Sequence, residues 1–270
     1  MLEVCDSHGL TQQGRIDFQE RIAKITMYLY PVLMIGLVAL TIFCAAMSLF
    51  FAALMGHPED TVHRVARFWG NACLFISGVR IRISGLDRIP RGLPVIFMAN
   101  HQGNYDIFTL LGKIPAQFRW IAKKEVFAIP LLGPAMKKAG YISIDRKNRE
   151  KAIRSMDEAA DKIRQGKSVM TFPEGTRSPD GSIGPFKKGS FYLAIQSGVP
   201  VIPVTILGSR NVMKKRKMNI RRGTITVIID KPIDVKEYTL DNREDLLERT
   251  RRVITENYRR HHMEGGPVSR

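Results

Sequence analysis

Between Lys24 and His57 the chain runs for 32 residues, Ile25 to Gly56, without one charge. As a straight helix that run would reach about 48 Å, against about 30 Å for the hydrocarbon core of a bilayer. A buried helix of a globular domain is much shorter, so the run is expected to meet lipid. A signal peptide fits poorly: residues 1–24 precede the run, and it is about twice as long as a usual apolar core of such a peptide. The excess length predicts that the segment tilts, breaks near Pro31 or Gly36, or folds back, leaving either one spanning helix or a helical hairpin within one leaflet. Residues 58–78 then mix charges with an apolar set at near-helical spacing (Val62, Val65, Ala66, Trp69, Leu74) after an acidic first turn, which predicts an amphipathic helix at an interface.

The charge distribution separates this segment from the rest. The formal net charge is +17, yet residues 1–56 hold only three bases and four acids, whereas residues 57–270 hold 39 bases and 21 acids. The later region is therefore expected to seek anionic partners and, by its basic excess, to lie on the cytoplasmic side of an inner membrane. With 44% apolar and 25% charged residues, the chain is neither a disordered polymer nor a polytopic membrane protein. Its 270 residues suit one main domain with a smaller appended element. The expected organisation is residues 1–78 membrane-associated (apolar 25–56, amphipathic 58–78), 79–262 a folded domain, and 263–270 a disordered tail. Three cysteines, Cys5, Cys44 and Cys73, suggest neither a disulfide framework nor a metal knuckle.

From residue 79 onward, seven short runs rich in β-branched residues read as strands: 79–85, 94–100, 118–124, 141–146, 167–173, 199–208 and 223–230. Many are continuous enough to be buried on both faces. Helical patterns lie between them. Residues 148–166 carry a stripe of Ile153, Met156, Ala160 and Ile163 with Gly166 as a stop, a second helix ends at Gly198, and residues 241–260 form a last, highly charged one. The alternation predicts an α/β fold, a mixed and largely parallel sheet of about seven strands flanked by helices.

The stretch "MANHQGNYDIF" (98–108) follows a buried strand and precedes a helical pattern, which places His101 where α/β folds carry chemistry. On a regular helix residues five apart point about 140° from each other. Contact between His101 and Asp106 therefore needs a bend, which Gly103 and Asn104 can supply. A neutral histidine is a suitable general base, and an aspartate on its other nitrogen would fix the tautomer. Each residue also has a plain structural reading, Asp106 as a helix cap and His101 as a loop histidine. No nucleophile accompanies them: there is no G-x-S-x-G elbow, and no cysteine lies in a plausible site loop. "QGKS" (165–168) lacks the earlier glycine of a phosphate-binding loop and runs from helix to strand. No metal-ligand spacing is present, and His261 and His262 are a tail pair.

A second constellation, "TFPEGTRSPDGS", again follows a buried strand. Glu174, Gly175, Thr176 and Arg177 in one turn-rich segment can offer a guanidinium fork and backbone donors to a phosphate; a surface turn with a Glu174/Arg177 ion pair is the plain alternative. Lys123, Lys124, Lys187 and Lys188 in neighbouring loops would add to a cationic pocket, although singly each reads as a solvated charge.

Together these segments resemble the 1-acyl-glycerol-3-phosphate (lysophosphatidic acid) acyltransferases and the wider glycerolipid acyltransferase family. "NHQGNYD" is similar to that family's N-H-x4-D motif, "GYISIDR" (140–146) to its second block, "FPEGTRS" (172–178) to its E-G-T-R block and "VPVIPV" (199–204) to its fourth, in the same order. The resemblance covers roughly residues 80–210. It implies transfer of a fatty acyl group from acyl-CoA or acyl carrier protein to the sn-2 hydroxyl of lysophosphatidic acid, giving phosphatidic acid without another cofactor or a metal. It also implies His101 as base, Asp106 as its orienter, and Glu174, Gly175, Thr176 and Arg177 as the acceptor loop, with Arg177 on the phosphate. Asp145 and Arg146 would support that loop, and Lys123 or Lys124 would assist. The partners implied are a phospholipid membrane, the lysolipid and the thioester donor.

Two other readings compete. One keeps the chemistry and changes the acceptor to glycerol-3-phosphate, another lysophospholipid or a lyso-aminolipid. The other is a basic nucleic-acid-binding protein on a membrane. It is disfavoured, and no nucleic acid is expected, because the aromatic residues do not interleave with the basic runs.

Overall fold

In a computed structural model of the chain, the structure describes residues 12–214 and 219–264. The chain divides into two compact units, one ending at Thr41 and the other beginning at Ile42. Cys5 and residues 265–270 of the expected tail lie outside the described residues.

The apolar run belongs to a single helix, α1 (Gln12–Leu54), which continues through Pro31 and Gly36. Neither the expected break nor a fold-back occurs within it. Proline removes one N–H and leaves one carbonyl unpaired, a local loss that an otherwise continuous ladder tolerates. Tyr30–Leu54 is long and apolar enough to cross a membrane, with a mean hydropathy of 2.5. In the second unit, Ile42, Phe43, Phe50 and Leu54 of this helix remain exposed, while Cys44, Ala45 and Ser48 are buried.

Helix α2 (Glu59–Ile76) lies inside the same unit as the sheet, whereas the sequence grouped it with the membrane segment. Its buried side, with Val62, His63, Gly70, Cys73 and Leu74, packs against α3 (Tyr105–Lys113). Gly70 makes the close crossing possible, since a Cβ there would sit 2.8 Å from the Phe108 carbonyl oxygen. Asn71 then bridges the two helices by donating to the Gly112 carbonyl at 3.0 Å.

Seven strands form the sheet: β1 (Val79–Ser84), β2 (Ile96–Ala99), β3 (Phe118–Lys123), β4 (Ile142–Ile144), β5 (Ser168–Thr171), β6 (Val201–Leu207) and β7 (Gly223–Ile229). Their spatial order is β1-β7-β6-β2-β5-β3-β4, and every neighbouring pair is parallel except β6–β7. The mixed, largely parallel α/β sheet expected from the sequence is therefore present. Strand pleating splits its core in two. On β2, Phe97 and Ala99 join the layer that holds Tyr105, Leu110 and Leu111, whereas Ile96 and Met98 join the layer formed with α5 (Arg149–Arg164), α6 (Gly189–Ser197) and α8 (Arg243–Glu264). Two short helices, α4 (Leu132–Lys138) and α7 (Ser209–Val212), and two 3-10 turns, Leu86–Arg88 and Lys124–Ala128, complete the described elements.

One core expectation needs correction. On α5, Met156, Ala160 and Ile163 are buried as the stripe predicts, but Ile153 is 43% exposed. It borders β4, the three-residue edge strand, which offers little surface to cover it. At the far end, α8 continues to Glu264, so the first two residues of the expected tail are helical.

Candidate active site

Strands β2, β3, β4 and β5 are parallel, so the loops after them leave one edge of the sheet. The sequence-predicted site residues lie on these loops or at the start of α3, except Lys123, which ends β3.

The turn after β2 bends as the His101–Asp106 pair requires. Asp106 falls in the first turn of α3, and its Oδ2 accepts three hydrogen bonds: from His101 Nδ1 at 2.7 Å, the Gln102 N–H at 2.7 Å and the Gly103 N–H at 2.9 Å. The carboxylate therefore gathers the loop around itself while holding the imidazole. With Nδ1 directed to Asp106, Nε2 is the ring nitrogen available to take a proton. Gly103 sits where a Cβ would lie 3.0 Å from the Met213 carbonyl oxygen, so the turn presses closely on the segment after α7. The histidine ring also stacks on Phe172, with centroids 3.9 Å apart and planes 8° from parallel, and Phe172 stacks in turn on Trp120.

The loop after β5 brackets the same histidine. Glu174 is buried, and its Oε1 accepts from the His101 backbone N–H at 2.7 Å while Oε2 accepts from the Gly184 N–H at 2.9 Å. The Ser178 N–H donates to the His101 carbonyl at 2.8 Å. Both backbone polar groups of His101 are thus committed to residues 174–178. Burial pushes the Glu174 carboxyl up to about 7, and the two N–H donors oppose that rise. The plain alternative of a Glu174/Arg177 ion pair is not realised: Arg177 donates to the Asn104 amide oxygen, back on the histidine loop.

Gly175 forms the apex. Its φ of +72° is left-handed backbone that favours glycine, and its N–H closes a turn onto the Phe172 carbonyl at 2.9 Å. Two cations converge there. Arg146, at the end of the second block, donates to the Gly175 carbonyl. Lys187 lies across the glycine, its Nζ 3.2 Å from where a Cβ would be. Thr176 is exposed beside them.

The remaining lysines are placed otherwise. Lys123 pairs with Glu125 at 3.2 Å, Lys124 with Asp145 at 2.6 Å, and Lys188 with Glu244. The Lys124–Asp145 pair braces the loop after β3 against the block carrying Arg146. Sequence reasoning did not single out Phe172, and it gave Asn104 a part only in bending the turn, not a hold on Arg177. Both flank recognised motif residues, and that adjacency was the available signal.

Residues 80–207 match the family described as Acyltransferase. The chain is 34% identical over 200 residues to a chloroplastic 1-acyl-sn-glycerol-3-phosphate acyltransferase of Brassica napus, across 70% of this chain and 58% of the relative. It is 36% identical over 189 residues to the 1-acyl-sn-glycerol-3-phosphate acyltransferase of Limnanthes douglasii, across 70% of this chain and 66% of the relative. The chain thus spans less than two thirds of the length of these curated relatives. The crystal structure of the 1-acyl-sn-glycerophosphate (LPA) acyltransferase PlsC from Thermotoga maritima is similar with a TM-score of 0.77 and 27% identity, covering 92% of this chain and 99% of that one. Family match, curated relatives and structural likeness agree on the region that carries the dyad and the 174–178 loop, and the chain belongs to the acyltransferase family.

Proposed function

We propose that this protein is a 1-acylglycerol-3-phosphate O-acyltransferase, moving a fatty acyl group from acyl-CoA or acyl-acyl carrier protein to the sn-2 hydroxyl of 1-acyl-glycerol-3-phosphate. The observation that carries the reading is the His101–Asp106 pair held within one hydrogen-bonded unit with a loop on which Arg146 and Lys187 converge. A base beside a cation-lined turn suits an acceptor that brings both a hydroxyl and a phosphate. The names of the relatives support the same acceptor.

The missing nucleophile is then the lipid's own hydroxyl. His101 Nε2 takes its proton, with Asp106 stabilising the imidazolium through Nδ1. The acceptor oxygen bonds to the thioester carbonyl carbon, the carbon–sulfur bond breaks, and the thiolate leaves with the proton that the imidazolium returns. No acyl-enzyme forms. Arg177, Arg146, Lys187 and the 175–176 backbone bind the phosphate, while Glu174 supports His101 through its backbone. Lys123 and Lys124 assist only from the periphery through their ion pairs. The apolar helix α1 anchors the chain in the membrane, with the domain on the cytoplasmic side, where the thioester donor is made.

The test offers lysophosphatidate, glycerol-3-phosphate and uncharged-headgroup lysolipids with each donor type. Lysophosphatidate is expected to show the highest kcat/KM, and Arg177→Ala to raise its KM about tenfold with little change in the donor KM. A glycerol-3-phosphate preference would move the protein to another acceptor class, and a change confined to the donor KM would remove Arg177 from the phosphate.

A further inference from the structure

After β3 a 3-10 turn (Lys124–Ala128) buries Phe127, and the tip that follows it is apolar, exposed and strained. Ala128, Ile129, Pro130 and Leu131 are all exposed, Ile129 by 46% and Leu131 by 41%. Among the described residues Leu131 alone has a positive φ without being glycine, at φ 59° and ψ −49°. The Leu132 N–H donates to the Pro130 carbonyl at 2.7 Å, which makes Leu131 the centre of a γ-turn of the rarer, strained hand.

The surrounding backbone is firmly built. The Gly133 N–H donates to the Ile129 carbonyl at 2.8 Å and the Ala135 N–H to the Leu131 carbonyl at 3.0 Å. Gly133 packs so tightly that a Cβ would lie 2.0 Å from the Phe127 carbonyl oxygen. A rigid frame therefore holds a leucine in an unfavourable conformation and turns apolar side chains away from the core. Folding alone gains nothing from that arrangement, whereas a surface held for an apolar partner does.

Charge and position identify the partner. Four exposed lysines flank the tip: Lys123 and Lys124 before it, paired with Glu125 and Asp145, and Lys137 and Lys138 after it, with no ion pair among the described residues. An uncharged apolar tip between cationic shoulders is suited to an anionic bilayer, the side chains entering the headgroup boundary and the lysines resting among phosphates. The loop leaves the same sheet edge as His101, and through Lys124–Asp145 and Arg146–Gly175 it is tied to the 174–178 loop.

We propose that residues 128–131 are an interfacial docking element that seats the active edge of the sheet on an anionic bilayer, separately from the apolar helix α1. Delivery of a lipid acceptor across this contact rests on the function proposed above; the docking itself does not.

Because α1 would hold the chain on vesicles however the loop lies, the measurement is made at the loop. Ile129→Trp is introduced into the full chain on vesicles of phosphatidylcholine and phosphatidylglycerol with brominated acyl chains. The added emission is expected to shift to the blue and to be quenched by the bromolipid, beyond the background of Trp69 and Trp120 in the parent. Added emission that bromolipid leaves untouched overturns the proposal, and shielding from iodide in that case assigns the patch to a protein contact. A second variant combines Ile129→Ser with Leu131→Gly, glycine removing side chain and strain together so that folding is preserved. Its KM for vesicle-borne lysophosphatidate is expected to rise about tenfold, with unchanged turnover of a short-chain acceptor dissolved as monomers. An equal change for both acceptors, or none for either, overturns the docking role. If the parent acylates neither acceptor, the enzymatic reading fails and the quenching result alone decides the docking.

Discussion

The cations clamped at the amino end of the sheet and the two that converge on Gly175 at its carboxyl end are treated in opposite ways. At the amino end, Arg119 is fully buried and pairs with Asp60 and with Glu59 at 3.5 Å, while Lys162 pairs with Glu59 at 3.7 Å and Lys167 with Asp60 at 3.1 Å. For Asp60, burial would raise the carboxyl, but hydrogen bonds from Lys167 and Arg119 more than reverse it and hold it below the ordinary range. Each of these three cations meets a carboxylate. At the carboxyl end, Arg146 meets a carbonyl and Lys187 makes no ion pair among the described residues, while the nearby carboxylates, Asp106 and Glu174, are spent on N–H groups. A cation matched to an acid clamps a fold, whereas one left to neutral acceptors keeps its field for an incoming anion.

The contrast can be broken from either end. His101→Ala is expected to lower kcat by about 10³-fold or more while thermal unfolding and membrane attachment stay as in the parent. Turnover within tenfold of the parent would remove His101 as the base. Arg119→Met should do the reverse, costing about 3 kcal/mol of stability, the low end for a broken pair because Asp60 and Glu59 are partly exposed, with kcat of the folded enzyme unchanged. Denaturant unfolding beside single-turnover kinetics separates the two effects.

Glu174 is an acid at the carboxyl end of the sheet that serves structure. Its carboxyl titrates near 7 in the folded chain, raised from 4.5. The native state therefore holds this proton more tightly than the unfolded chain. Its contribution to stability is complete below about 4.5 and is lost as pH rises to about 7, on the order of 3 kcal/mol across the window. Glu174→Gln should abolish that slope, so the stability of the parent relative to the variant falls as pH rises through the window, measured by chemical denaturation at stepped pH. A difference that stays constant with pH would mean the carboxyl is not perturbed.

These comparisons also mark what could be read before the fold was known. Seven strands were legible because β-branched runs alternate with capped helices, and the His101–Asp106 contact because a short glycine-containing turn can bring two side chains together. The role of Glu174 was not. Its partners are backbone N–H groups at His101, 73 residues away, and at Gly184, and side-chain pattern carries no trace of a bond to backbone. Phe172 was hidden for a related reason, since an aromatic just after a buried strand looks the same whether it packs in the core or against the ring of His101. The continuous α1 and the exposed Ile153 depended on tolerance of one proline and on the shortness of β4, neither of which periodicity reports.

Because Glu174 and Ser178 grip the backbone of His101 from both sides, and Asn104 grips Arg177 in return, the two motif loops are mechanically a single part. On the function proposed above, acceptor preference and base placement then cannot drift independently. A loop transplanted from a relative to alter headgroup choice would have to arrive with residues 101–104 as well as 172–178, and Gly184 would have to remain within reach. What such a transplant must carry whole is the interlocked pair of turns.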